Sequence, residues 1–570
     1  MSAAVSFPAT AETRPVDAVC DTFVEEYAAA DPVTATELGI PGHDAEVTDL
    51  SPDGYARREE LLRRTVAAAR AAEPTDERER AAKEAFLERL GLDLQRYEAG
   101  IPQSQVSVIS SGLHDLRTSF DLMETGSEAG WRAVDSRLAG VPAALEGYRR
   151  TLLESAAAGR VSAKRQYAEV AGQVRGWTGQ QESPSVFATL VDAYDSGPPD
   201  GALARDLRRH ADEATQAVAA FGRFLADELG PQGRDLDAVG EERYALASRY
   251  FLGAQVDLRE TYAWAWEELL RIEGEMQAIA SSVQPGASLE EVAARLDADP
   301  AYTVNTPEAF RDWMQALADR ALDELADAHF DIPGPVRRIE CCLAPTQDGG
   351  VYYTGPSEDF ARPGRMWWSV PKGVTRFSTW RETTTVFHEG VPGHHLQVAQ
   401  TAYRSELLNR WQRKMCWVSG SGEGWALYAE RLMAELGWLD DPADRLGMLD
   451  AQAFRTARVI VDIGEHLQLR VPENAYGWRV GETWTPELVW EFIRAHSHEG
   501  DETLRFEVNR YLGWPGQAPS YKVGERIWLQ ARSDAQARQG PSFELRSFHR
   551  AALDLGSIGL DPLRQALDRL

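Results

Sequence analysis

The sequence predicts a mostly α-helical protein with a small β-ribbon near residues 335–370. Two observations carry this prediction. Apolar residues recur at helical spacing through the first half of the chain, and this pattern resumes at Thr379. Between these two helical regions, residues 332–371 are rich in proline, glycine, aromatic and β-branched residues, which favours short strands and turns.

The N-terminal helices are predicted from apolar periodicity and from the residues that interrupt it. Pro15 suits a first helical turn, and apolar residues then follow on one face, namely Val16, Val19, Cys20, Phe23 and Tyr27. The same period continues through residues 51–72, 81–98, 131–158, 203–229 and 241–280. Glycine and proline clusters separate several of these segments.

The ribbon segment contains GGVYYTG, residues 349–355, which is its best strand candidate. After it, Thr379 and Glu382 have the spacing of a capping box, which predicts a helix that carries His388 and Glu389. A ribbon in this position could hold an extended peptide by strand addition.

Composition excludes several classes of partner. The chain has 89 acidic and 60 basic residues, a formal net charge of −29, so neither nucleic acid nor an anionic membrane is an expected partner. No run of 18 apolar residues occurs, and the N-terminus shows no secretory signal. The four cysteines form no C-x-x-C pair, which is typical of reduced thiols. We therefore expect a cytoplasmic protein, either a monomer or a homodimer.

Residues 387–397, FHEGVPGHHLQ, resemble an interrupted zinc-binding helix. In the H-E-x-x-H pattern the histidines at i and i+4 bind one metal and the glutamate acts as general base. Here Pro392 occupies i+4 from His388. A Pro-Gly bulge could absorb two residues and bring His394 to the metal. The alternative ligand is His395, which lies on the same face of a straight helix but about 10 Å along the axis.

A third metal ligand is predicted in GSGEGWALYAERL, residues 420–432. Glu423 lies at the start of this predicted helix, and a glutamate from a later helix commonly completes a two-histidine zinc site. Glu430 lies two turns further on the same face, where we expect an indirect or structural role. The predicted metal set is therefore His388, His394 and Glu423 with zinc, and Glu389 as the catalytic base.

Five ordered motifs now carry a family resemblance: HEGVPGHHLQ, EGWALYAERL, RVIVDIGEH, RYLGWPGQAPSYKVG and SFHRAALDLGSIGL. Over roughly residues 330–570 the chain resembles the family called domain of unknown function 885. The resemblance implies the helical metallopeptidase-like fold of the carboxypeptidase Taq, thimet oligopeptidase and angiotensin-converting enzyme group. Such proteins have a large helical body split by a deep cleft with zinc at its floor. The two extra residues inside the histidine motif depart from that group.

The resemblance also implies roles for residues outside the metal set. Tyr521 in PGQAPSYKVG resembles the tyrosine that donates a hydrogen bond to the tetrahedral intermediate, and an oxyanion needs such a neutral donor. Asp462 and His466 lie at i and i+4 on one helix. They could form a second metal site, but we expect Asp462 to orient a zinc-binding histidine instead.

Further residues are candidates for substrate binding. Arg510 and Tyr511 precede the tyrosine loop, and an arginine fork suits a substrate carboxylate. His498 is a candidate for the cleft wall. We expect an N-terminal helical part, residues 1–240, and a zinc-binding catalytic part, residues 241–570, in one continuous fold around the cleft.

The expected function is zinc-dependent hydrolysis of amide or peptide bonds in short peptides or peptide-like metabolites. One alternative is the same chemistry on a non-peptide amide from a specialised biosynthetic pathway. The other is a non-catalytic, metal-containing helical binding protein, against which the presence of Glu389 argues, because a purely structural site needs no base.

Overall fold

The structure, a computed structural model, describes residues 14–180, 184–195, 198, 201–344, 350–497 and 500–569. Helices dominate this part of the chain, as predicted. The helices of the first half are α1 Pro15–Ala30, α2 Pro32–Glu37, α3 Pro52–Ala71, α4 Glu77–Glu98, α5 Ile101–Ser104, α6 Gly112–Ser119, α7 Glu128–Ala157, α8 Lys164–Trp177, α9 Val186–Asp192, α10 Ala202–Phe224, α11 Glu241–Leu252 and α12 Leu258–Val283.

The second half contains further helices and the short strands. The helices are α13 Leu289–Ala298, α14 Pro307–Leu325, α15 Thr379–Glu389, α16 His394–Tyr403, α17 Arg410–Lys414, α18 Ser419–Glu435, α19 Pro442–His466, α20 Pro486–Ala495, α21 Asp501–Gly513, α22 Ser520–Gln539, α23 Leu545–Leu553 and α24 Leu560–Asp568. The strands are β1 Thr303–Asn305, β2 Ile339–Leu343, β3 Val351–Thr354, β4 Gly364–Trp368 and β5 Arg376–Ser378.

One predicted helical segment, residues 241–280, is divided in the structure. Gly253 ends α11 in a left-handed conformation with φ of 61°. A Cβ at this position would lie 2.3 Å from the Cα of Gly559, so both the turn and the close approach require glycine. Asp257 then caps α12 by accepting hydrogen bonds from the backbone N–H groups of Arg259 and Glu260. The apolar periodicity of the sequence continues across the break between α11 and α12, so the sequence pattern does not reveal this break.

The predicted β-ribbon is a three-stranded sheet in the order β2–β4–β3. Strand β4 pairs in parallel with β2 and antiparallel with β3, and β3 is the strand predicted within GGVYYTG. Strand β5 pairs with β1 and leads directly into α15. This helix begins at Thr379 as predicted, but the capping box does not form. Ser378 occupies the N-cap position and its hydroxyl donates to Asp297 instead.

Two hydrophobic cores organise the described residues. The larger core joins α1, α3 and α4 to elements from α11 to α24, whereas the smaller core is built mainly from α6 to α10. The N-terminal helices therefore contribute to both cores, and the division near residue 240 stays a prediction. Among the described helices, none is both long and apolar enough to cross a membrane.

Helices α18 and α22 cross at an unusually close contact between glycines. A Cβ on Gly424 would lie 2.6 Å from the Cα of Gly524, and one on Gly524 would lie 2.3 Å from the carbonyl oxygen of Gly420. The first turns are also joined, since the hydroxyls of Ser419 and Ser520 lie 2.7 Å apart. The crossing fixes the start of α18 against the start of α22.

We expect Gly424→Ala to destabilise the protein, because an added methyl group forces these two helix backbones apart. Overpacking of this kind costs about 1–3 kcal/mol of unfolding free energy. Gly274→Ala is the matched control, since Gly274 lies within α12 and its added Cβ meets no atom within 4 Å. The control should be neutral or stabilising by about 0.5–1 kcal/mol. Urea denaturation measures both changes, and equal stability of the two variants would contradict the close-crossing argument.

Candidate metal centre

The histidine motif forms two helices joined by a tight break. Helix α15 ends at Glu389, and α16 begins at His394 after Pro392, which cannot donate a backbone hydrogen bond. A Cβ at Gly393 would lie 1.9 Å from the carbonyl oxygen of His388, so only glycine fits this return of the chain. The break brings the His394 ring to a centroid distance of 4.8 Å from the His388 ring.

Three side chains converge beside this break. The ligand atoms of His388, His394 and Glu423 all lie within 4.8 Å of one another. Glu423 Oε2 lies 3.5 Å from His388 Nε2 and 3.3 Å from His394 Nε2. The structure thus brings together the three residues that the sequence predicts as metal ligands. Two imidazoles and one carboxylate leave a fourth direction open, which is the donor set of a catalytic zinc site.

Glu430 sets the orientation of His388. The Nδ1–H of His388 donates to Glu430 Oε1 over 2.7 Å, and the hydroxyl of Thr384 donates to Glu430 Oε2 over the same distance. Glu430 is fully buried. Because the carboxylate fixes the proton on Nδ1 in the neutral ring, the Nε2 lone pair points toward Glu423, where a metal would lie.

The centre is electrostatically unbalanced without a cation. Burial opposes charge on His388, but hydrogen bonds to Glu423 and Glu430 outweigh this and raise the pKa of His388 to about 9. Burial alone would raise the pKa of Glu423, yet the adjacent His394 and His388 hold it well below its usual value. The two carboxylates therefore favour positive charge between them, which either a proton or a metal ion can supply.

His395, the alternative ligand, makes its contacts outside the cluster of His388, His394 and Glu423. Its Nε2–H donates to the carbonyl oxygen of Val336 over 2.8 Å, and its Nδ1 lies 3.0 Å from the hydroxyl of Tyr353. Burial lowers the pKa of His395 to about 4, so the ring stays neutral. These contacts tie α16 to the β-ribbon and leave His394 as the second histidine of the cluster.

The cluster lies in a cavity of about 1240 Å³. Glu389 lines this cavity, and its Oε2 has no hydrogen-bond partner among the described residues. Tyr521 lines it as well. Burial, followed by the negative charge of Glu423, raises the pKa of Tyr521 to about 12, so its hydroxyl remains a donor at neutral pH. A free carboxylate and a protonated phenol thus share one cavity with the three candidate ligands.

Asp462 does not orient a metal-binding histidine, contrary to the expectation from sequence. Its Oδ2 accepts hydrogen bonds from the Tyr244 hydroxyl over 2.6 Å and from the Gly516 N–H over 2.8 Å. His466 donates to the carbonyl oxygen of Tyr511. Asp462 therefore fixes the loop that precedes Tyr521, and Glu430 occupies the place expected for it.

Arg510 and Tyr511 are also placed differently from the prediction. Both contact the carboxylate of Glu507, at 3.0 Å from the Arg510 guanidinium and 2.5 Å from the Tyr511 hydroxyl. Both are buried, and neither is among the described residues that line the cavity. The carboxylate of Glu507 thus occupies the guanidinium of Arg510, which was predicted to bind a carboxylate of the substrate. The third candidate, His498, lies outside the described residues.

Two arginines that were not predicted, Arg455 and Arg458, line the cavity from α19. The sequence contains a signal for this pair, because two arginines three residues apart lie side by side on one face of a helix. Trp417, which is 46% exposed, also lines the cavity, with its ring 5.8 Å from that of His394. It lies in a short connection between helices and carries no periodic signal.

Two solved structures share this fold. One is "the putative lipoprotein from Colwellia psychrerythraea", with 21% identity over 97% of this chain and 98% of that chain and a TM-score of 0.81. The other is "a putative lipoprotein of unknown function from Shewanella oneidensis", with 17% identity over 96% of this chain and 99% of that one and a TM-score of 0.73. At such identities the likeness shows the fold alone.

No curated protein matches the chain. The family described as "Bacterial protein of unknown function (DUF885)" matches residues 32–567. This match includes the break after Glu389, the three candidate ligands and Tyr521. Because it covers most of the chain, the protein belongs to the DUF885 family.

Proposed function

We propose that this protein is a zinc-dependent hydrolase that cleaves amide or peptide bonds in short peptides or peptide-like metabolites. One observation carries the proposal. The cluster of His388, His394 and Glu423 opens into the same large cavity as the unpartnered carboxylate of Glu389 and the hydroxyl of Tyr521. A structural metal site needs neither a free base nor an open cavity.

The donor set supports zinc as the metal. His388, His394 and Glu423 would hold the ion, and Glu430 would keep His388 in the required tautomer. When bound, zinc supplies Lewis-acid chemistry that activates water and polarises a carbonyl group. The sequence motifs resemble those of the helical metallopeptidases of the carboxypeptidase Taq, thimet oligopeptidase and angiotensin-converting enzyme group, apart from the two residues inserted between the histidines.

The protein side chains supply the proton transfers. Glu389 accepts a proton from the attacking water as the new C–O bond forms, and delivers it to the leaving nitrogen as the C–N bond breaks. Tyr521 donates a hydrogen bond to the negative charge that develops on the carbonyl oxygen. The sum is an amide and water giving a carboxylic acid and an amine.

The β-ribbon supports an extended, peptide-like substrate. Residues of β3 line the cavity, namely Val351, Tyr352 and Tyr353, and β3 lies at one edge of its sheet. An edge strand offers backbone N–H and C=O groups to a chain that pairs alongside it. Peptide backbone could therefore bind β3 while one of its amide bonds reaches the histidines.

The metal prediction concerns Glu423. The purified protein should hold about one zinc ion per chain, and Glu423→Ala should lose most of it, because two imidazoles alone make a weak site. Glu435→Ala is the control, since Glu435 is on the same helix and pairs with Arg532 at the surface. Elemental analysis gives the metal content. Stoichiometric zinc in Glu423→Ala would exclude this residue as a ligand.

The second prediction separates the adjacent histidines. His394→Ala should abolish zinc binding, whereas His395→Ala should leave most of it, because His395 donates to Val336 outside the cluster. Zinc titration of both variants, with thermal unfolding as a check of folding, measures the difference. Loss of zinc in His395→Ala alone would reverse the assignment.

The third prediction concerns Glu389. Glu389→Gln should keep zinc and fold while losing turnover by about 10²–10⁴-fold, the usual contribution of a positioned base. A panel of short peptides and amides, followed by mass spectrometry, identifies a substrate for the assay. Full activity of Glu389→Gln on that substrate would refute the proposed proton transfers, and zinc-loaded wild type without any turnover would favour a binding protein.

The fourth prediction concerns Tyr521. Tyr521→Phe should keep zinc and lower kcat by about 10²–10³-fold with little change in KM, because an oxyanion donor acts in the transition state. Steady-state kinetics of wild type and variant provide the comparison. A rise in KM at constant kcat would show that Tyr521 binds substrate rather than the oxyanion.

A further inference from the structure

Arg455 is a half-buried cation at the metal centre with no carboxylate partner among the described residues. It extends from α19 and lines the cavity that contains the histidines. Its guanidinium makes one hydrogen bond, over 3.3 Å, to the carbonyl oxygen of Ala451 in its own helix. Its Nε is buried and has no hydrogen-bond partner. A guanidinium has five N–H donors, so most of this binding capacity is unused.

The other arginines of the cavity differ from Arg455. Arg381 pairs with Asp297 and Asp450, and Arg458 pairs with Glu507 over 3.2 Å. Arg376 is exposed on β5, where water can solvate it. Arg455 therefore combines partial burial with an unused guanidinium fork.

Arg455 lines the same cavity as His388, Glu389 and Tyr521, the groups proposed to act on the scissile bond. Its positive charge contributes to lowering the pKa of Glu430, and it acts in the same direction on His388 and Tyr521. A substrate group held by Arg455 would therefore lie a short distance from the carbonyl group that is attacked. Glu430 interacts with this charge, but its two oxygens accept hydrogen bonds from His388 and Thr384, which leaves the guanidinium fork free.

We propose that Arg455 binds the free carboxylate of the substrate, so that the enzyme cleaves the amide bond next to the C-terminal end of a peptide or N-acyl amino acid. The planar fork matches a carboxylate through two parallel hydrogen bonds. A local cation is also needed, because the chain carries a net charge of −29 and would otherwise repel an anionic substrate. This proposal rests on the proposed hydrolase function and names its substrate class.

The first experiment compares N-acetyl tripeptides with free and amidated C-termini. Wild type should prefer the free acids in kcat/KM. Arg455→Gln should weaken hydrolysis of the acids by about 10–100-fold, mainly through KM, while the amides change little, since loss of one charge-assisted contact has this size. Arg455→Lys should restore part of the preference. Arg376→Gln removes an exposed positive charge from the same cavity and should leave the preference unchanged.

The second experiment requires no turnover. Calorimetric titration of zinc-loaded Glu389→Gln with N-acetylphenylalanine and with its amide should show tighter binding of the acid. Adding Arg455→Gln to this variant should remove the difference while elemental analysis shows unchanged zinc. A binding difference without any hydrolysis by wild type would support the carboxylate site and refute the hydrolase.

Equal hydrolysis of acids and amides by wild type would overturn the carboxylate site and leave the hydrolase standing. Persistence of the acid preference in Arg455→Gln would also overturn the assignment to this residue. If Arg455→Gln loses zinc, Arg455→Lys decides the question. An acid preference kept in Arg455→Lys at full zinc content would support binding of the substrate carboxylate by the positive charge. Failure of N-acetylphenylalanine to bind zinc-loaded Glu389→Gln would overturn the carboxylate site.

Discussion

The two carboxylates beside His388 are the constraint on which the candidate metal centre depends. Glu430 is fully buried and accepts from His388, while Glu423 faces both histidines from the opposite side. Negative charge in a protein interior is costly unless a cation compensates it. The raised pKa of His388 shows one form of compensation, by a proton. A metal ion between the same groups would supply another. Metal and proton would then compete for Nε2 of His388, so that binding of metal would release the proton.

Backbone close contacts place these groups. The return of the chain at Gly393 lets two helices present His388 and His394 to one point, which a continuous helix with this spacing does not. The glycine crossing of α18 and α22 then fixes Glu423 beside Tyr521. The site is therefore assembled by helix ends and crossings, where small residues allow backbones to approach. The geometry of the candidate site therefore depends on residues outside the cluster of His388, His394 and Glu423.

Local patterns predicted the helices and the ligand cluster well, and long-range contacts poorly. The start of α15, the strand in GGVYYTG and the group of His388, His394 and Glu423 follow from spacing along short segments and from the family motifs. Glu430, and not Asp462, accepts the hydrogen bond from His388, because tertiary packing decides which donor a buried carboxylate meets.

The sequence by itself determined the helical class, the chemical types of the candidate ligands and their order along the chain, since these depend on periodicity and residue chemistry. Only the tertiary structure decided which charged residues reach the cavity. Arg510 and Arg455 are both arginines on helices, yet Glu507 neutralises the first and the second remains open. That difference arises from which elements pack against each helix, and such contacts between residues distant in sequence leave no local pattern to detect.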